Sequence, residues 1–110
     1  MKTSELTGAA LDWAVAKCEG GWILDMASFT PHHSLGRMNF ATNWSQGGPI
    51  IERERLLVQP EIGKAGAGNA WSAIAMDGFE CFGPTPLIAA MRCYVASKLG
   101  DEVEIPEELS

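Results

Sequence analysis

Apolar residues recur at helical spacing near both ends of the chain and alternate more loosely between them. Leu6, Ala9, Ala10, Trp13 and Ala16 fall near one face of a helix over residues 6–18, with Trp13 near the middle of that face. Thr3 or Ser4 is its expected N-cap, and Gly20-Gly21 its stop. Leu87, Ile88, Met91, Val95 and Leu99 make a longer stripe that predicts a helix over residues 86–99. Thr85 suits the N-cap, Pro86 the first turn and Gly100 the end.

Between these helices the pattern is shorter. Residues 22–24 read as a short strand, and residues 27–46 as a long irregular loop rich in turn formers and punctuated by Phe29, Phe40 and Trp44. Gly47-Gly48-Pro49 opens a short helix through residue 54. Residues 55–59, 70–76 and 79–82 read as three strands; GKAGAGN over 63–69 connects the first two and Asp77-Gly78 the last two. The predicted class is α+β, a small antiparallel sheet packed with an N-terminal helix and a long C-terminal helix. Residues 1–100 form one domain and residues 101–110 an acidic tail.

Charge sharpens that division. The chain of 110 residues carries a net charge of −6, yet five of its fourteen acids lie in the tail. The body is nearly neutral, which argues against nucleic acid as a partner, since that needs a basic patch. The polar start and the lack of an apolar run near 20 residues argue against a signal peptide or a membrane partner. Cys18, Cys81 and Cys93 are odd in number and widely spaced, so reduced thiols in a cytosolic protein are expected.

Candidate chemistry is sparse. GKAGAGN lacks the Lys-Ser/Thr ending of a phosphate loop, and the neighbours His32 and His33 cannot both face one ion in regular structure. No metal, cofactor or catalytic residue is implied. Asp12, Glu52, Glu54 and Asp77 show no magnesium-site spacing. The stretch Asn43–Pro49 is more informative. Gly47 and Gly48 would let backbone approach a ligand, with the N–H groups of the helix start attracting an anion. Trp44 offers a stacking face, Gln46 hydrogen bonds, and Arg53 or Arg55 a bidentate phosphate contact. Thr85 stands at a second helix start, where it either caps its own helix or faces a ligand. Arg92 lies opposite the apolar stripe and is expected to be exposed or interfacial. The plainer alternative is that Gly47-Gly48 only turns a corner and Trp44 fills the core.

Three blocks, SELTGAALDWAVAKCEG, NWSQGGPIIERE and GPTPLIAAMRCYVASKLGDEVEIPEEL, resemble the NinX-like family of small bacteriophage accessory proteins. The likeness covers most of residues 3–109 and is weakest over 61–82. It implies a phage protein made in the host cytoplasm, and brings no catalytic residues to carry over. The resemblance and the local chemistry together lead to one expectation, a non-enzymatic protein that sequesters a small nucleotide-type immune signal. Its ligand contacts would come from Trp13, Trp44, Gln46, Gly47, Gly48, Arg53, Thr85 and Arg92 in a homo-oligomer. The alternative is a module that contacts and inhibits a host or defence protein; a third reading, an enzyme acting on nucleotides, needs a metal site that the spacing does not supply.

Overall fold

A computed structural model of the chain describes residues 2–19, 23–25, 30–33, 36–37, 39–61 and 70–105, with backbone alone for the residues between 23 and 37. The elements are a 3₁₀ turn at Thr3–Glu5, α1 at Gly8–Glu19, β1 at Ile23–Asp25, β2 at Thr30–His33 and β3 at Gly36–Arg37, followed by α2 at Trp44–Glu54, β4 at Leu57–Pro60, β5 at Trp71–Ile74, β6 at Glu80–Gly83 and α3 at Pro86–Leu99. The class is α+β, with the N-terminal and C-terminal helices packed with an antiparallel sheet as the pattern predicts. Among the described residues no helix is long and apolar enough to cross a membrane.

Among the described residues there are two antiparallel sheets, β1-β2-β3 and β4-β5-β6. The first corrects the long irregular loop: Leu24 pairs with Pro31 and His33 with Gly36, so backbone pairing runs through residues whose side chains favour turns. In the second sheet Ala73 sits between Val58 and Cys81. Ala73 and Cys81 are buried and Val58 packs partly against the core, so this row forms the inner face. The expected glycine stop at 20–21, Trp22, Phe29, the loop at 63–69 and the tail end 106–110 lie outside the described residues.

Helix α3 is the hub. It packs against β4, β5, β6, α1, α2 and the 3₁₀ turn, and Leu87 with the unbroken run Ala89–Ala96 is buried. Thr85 caps it by accepting from the N–H of Ile88 at 3.1 Å, and Gly100 ends it at φ 91°, a conformation that favours glycine. Helix α1 starts two residues later than predicted. Thr3 is not its cap; the Thr3 hydroxyl donates to the carbonyl of Gly100 at 2.7 Å, tying the two ends of the domain together. The buried face of α1 centres on Leu11, Ala14 and Val15, which moves Trp13 from the middle of the face to its half-buried margin.

The acidic segment begins docked. Thr3 N–H donates to the Asp101 carbonyl at 2.7 Å, Lys2 and Glu102 form a β-bridge, and Val103 is buried.

Candidate functional site

The corner around Trp44 is built from backbone outward. The carbonyl of Asn39 accepts from the N–H groups of Thr42 and Asn43 at 3.3 and 3.0 Å, which closes a turn. Asn43 then caps α2: its Oδ1 accepts from Ser45 N–H at 2.9 Å and from Ser45 Oγ at 2.6 Å. Gln46 stands three residues after that cap, the spacing of a capping box, but its Oε1 accepts from the N–H of Asn39 and so closes the turn from the other side. Asp12, on α1, accepts from Ala41 N–H at 2.9 Å.

This geometry corrects the role expected of Gly47 and Gly48. Both lie inside α2, not before it, and Gly47 N–H donates to the Asn43 carbonyl at 2.9 Å. Gly47 is needed for close approach. A Cβ there would collide with the Phe40 carbonyl oxygen and lie 2.7 Å from Leu87 Cδ1. Gly47 therefore seats the corner on α3, and neither glycine forms an amide cradle in front of the helix.

Trp44 itself is not core. It is 55% exposed and forms the ridge between two depressions. On one side Ala41, Thr42, Trp44, Thr85, Leu87 and Ile88 line a cleft of about 220 Å³. On the other, Trp44, Gly48, Pro49 and Arg53 border a broader, open groove of about 690 Å³. Trp44 and Thr85 are 41 positions apart and meet because α2 and α3 start side by side. Every side chain in the smaller cleft is uncharged. Its wall can stack a ring and its threonines can hydrogen-bond; it supplies no fixed counter-charge.

Arg53 is held elsewhere. Its Nη1 and Nη2 donate to the two carboxylate oxygens of Glu19 at 3.2 and 2.7 Å, its Nε to Glu54 at 2.9 Å, and Nη2 also to the Tyr94 hydroxyl at 3.1 Å. The Tyr94 hydroxyl in turn donates to Glu19, and Lys98 pairs with Glu54 at 3.1 Å. Burial raises the Tyr94 phenol pKa, and its bond to Glu19 raises it further. Arg92 overturns its expected exposure. It is 6% exposed, donating from Nε to the Leu6 carbonyl at 2.8 Å and from Nη1 to the Phe82 carbonyl at 2.7 Å. Trp13 borders neither depression and carries Lys17 over its ring at 5.3 Å.

Of the eight candidates, then, Trp44 and Thr85 share the cleft, Gly48 and Arg53 share the open groove with Trp44, Gln46 and Gly47 build the scaffold, and Trp13 and Arg92 stand apart. Sequence reasoning assigns none of these roles to Asp12, Thr42 or Asn43. The Asn43-Trp44-Ser45-Gln46 spacing was the readable signal for the cap. Among the described residues no group of His, Cys, Asp or Glu could hold a metal ion. A further cavity of about 420 Å³ lies between the 3₁₀ turn, β6 and the end of α3, bordered by Lys2, Phe79, Glu80 and Asp101; none of the sequence candidates reaches it.

The model of the family described as Bacteriophage P22, NinX matches residues 2–98, which spans the cleft, both helix starts and the Arg53 network. No curated protein matches the chain.

Proposed function

The chain belongs to the bacteriophage P22 NinX family, a family of phage proteins, and on that premise we propose that it is a non-enzymatic binding protein of the host cytoplasm that captures a small nucleotide-type ligand. The observation that carries this reading is the meeting of exposed Trp44 with Thr85 and Thr42 in one neutral cleft. The ring of a base stacks on Trp44, and the threonine hydroxyls orient it. The phosphates extend out of the cleft, because no cation lines it. Their charge is met by a second copy of the chain, so the working form is a homo-oligomer, in which pockets shared between subunits are common. Sequestration of an immune signal needs only such capture. A general base and a metal have no part in it.

The test is a thermal-shift panel of cyclic dinucleotides, cyclic ADP-ribose isomers, NAD and ADP-ribose, run on the unmodified chain and on Trp44→Ala. At a hundredfold excess over Kd, native-state binding adds about 2.7 kcal/mol of stability. A shift with one compound that Trp44→Ala abolishes, with the ligand recovered intact, supports capture. Recovery in altered form replaces it with an enzyme, and no shift with any compound removes it.

One observation favours a second reading, inhibition of a host or defence protein. Trp44 stands as a ridge between two open depressions, and an exposed tryptophan beside an arginine is a common interface anchor. Under this reading Trp44→Ala weakens a protein complex by at least about 2 kcal/mol and the nucleotide panel is silent.

A further inference from the structure

We propose that Asp12 is the positioning residue of the Trp44–Thr85 cleft. Resting on the reading of that cleft as the binding surface, the inference concerns what holds its wall in place. Asp12 lies on α1, 7% exposed, and its Oδ1 accepts from the N–H of Ala41 across 29 positions of sequence. Ala41 and Thr42 are cleft wall, Asn43 is the cap, and Trp44 is the first residue of α2. The turn is internally closed by hydrogen bonds among Asn39, Thr42, Asn43 and Gln46. The opposite wall, Thr85–Ile88, belongs to the start of α3. The spacing of the two walls is therefore set where the turn is fastened to the body.

Three fastenings are visible. The Phe40 side chain is buried, Gly47 abuts Phe40 and Leu87, and Asp12 holds Ala41. The first two are apolar or steric and set no hydrogen-bond direction. The Asp12 bond is directional. Among the described residues no cation pairs with Asp12. A carboxylate kept in the core is costly to desolvate, and its described hydrogen bond goes to the turn.

The experiment is backbone amide exchange and ¹H–¹⁵N correlation spectra on the whole chain, with Asp12→Ala and Asp12→Asn. In Asp12→Ala, protection of the Ala41 amide should fall by about tenfold or more, as for loss of a hydrogen bond to a charged acceptor. The Thr42 and Thr85 amides and the Trp44 indole N–H should shift, while the Met91–Val95 amides of α3 keep their protection. Asp12→Asn, whose side-chain oxygen still accepts, should restore the Ala41 protection. Unchanged Ala41 protection in Asp12→Ala overturns the proposal. So does a loss that spreads to α3, which marks a general packing role, or failure of Asp12→Asn to rescue. No ligand is needed, so this result stands apart from the outcome of the nucleotide panel.

Discussion

Arg92 Nε donates to the carbonyl of Leu6 at 2.8 Å, joining the last helix to the segment that precedes the first, 86 positions away. The same guanidinium donates to the Phe82 carbonyl of β6. One buried side chain thus satisfies two backbone acceptors, one before α1 and one on β6. Arg92→Met should cost about 2–4 kcal/mol, because each buried carbonyl left unpaired costs about 1–3 kcal/mol. Arg92→Lys should recover only part of this, since a single ammonium does not reproduce the planar fork. Urea denaturation of the three proteins measures the difference.

Gly47 and Gly48 are adjacent and should respond oppositely to alanine. A Cβ on Gly47 meets the Phe40 carbonyl and Leu87, whereas a Cβ on Gly48 meets only Trp44 Cε3, at 3.9 Å. Gly47→Ala is expected to destabilise by about 1–3 kcal/mol through overpacking. Gly48→Ala is expected to stabilise by up to about 1 kcal/mol through helix propensity. Thermal melts of both variants decide it.

Burial raises the Asp12 pKa above its ordinary 3.8, only partly offset by the Ala41 N–H that lowers it. A raised folded-state value means that stability from this group is present below pH 3.8 and is lost as pH rises through the folded value. Asp12→Asn keeps an acceptor for Ala41 and carries no charge. It should equal or exceed the parent protein in stability at pH 7, with the gap closing toward pH 4, by denaturant titration at the two pH values.

Glu19 behaves in the other sense. Burial alone would raise it, but the hydrogen bonds from Arg53 and Tyr94 outweigh that and hold it below its ordinary 4.5. Its contribution is present above pH 4.5 and is lost as pH falls through the lower folded value. Arg53 is half exposed, so solvent screening keeps the pair modest. Glu19→Gln should cost about 0.5–1.5 kcal/mol at pH 7 and flatten the acid limb of the stability curve.

Cys93 is pushed up to about 12 and Cys18 to about 11, in each case first by burial and then by neighbouring negative charge. Both thiols should stay protonated at pH 8 and react slowly with a disulfide reagent until the chain is unfolded in guanidinium. Fast labelling of the folded chain at pH 8 would contradict the packing.

The features legible in the sequence were those set by neighbours along the chain. Thr85, Pro86 and Gly100 fix the ends of α3 through a cap, a ring and a left-handed φ, all local, and its observed bounds match the pattern. Asp77-Gly78 likewise marked the turn between β5 and β6. The remaining features are decided by partners far away along the chain. Thr30–His33 and Gly36–Arg37 carry turn-forming residues and become strands because β1 pairs with β2 and β2 with β3. Arg92 looked exposed because it lies opposite an apolar stripe, but α3 is surrounded, so the opposite side is also interior. Gly47-Gly48-Pro49 read as a helix start, whereas Asn43 caps the helix earlier and Pro49 sits within it. At the site, Trp44 and Thr85 were each visible as local chemistry. Their meeting is a product of how α2 packs on α3.

The bonds of Thr3 to Gly100 and Asp101 have a topological consequence. They hold the segment before α1 against the segment that follows α3, so the covalent path between them closes almost into a ring. A ring has no privileged opening. Joining the two sides through a short linker and cutting at the Asp77-Gly78 turn would leave every long-range fastening in place. The order of elements along the chain could thus be permuted without altering the neighbours that each helix and strand requires.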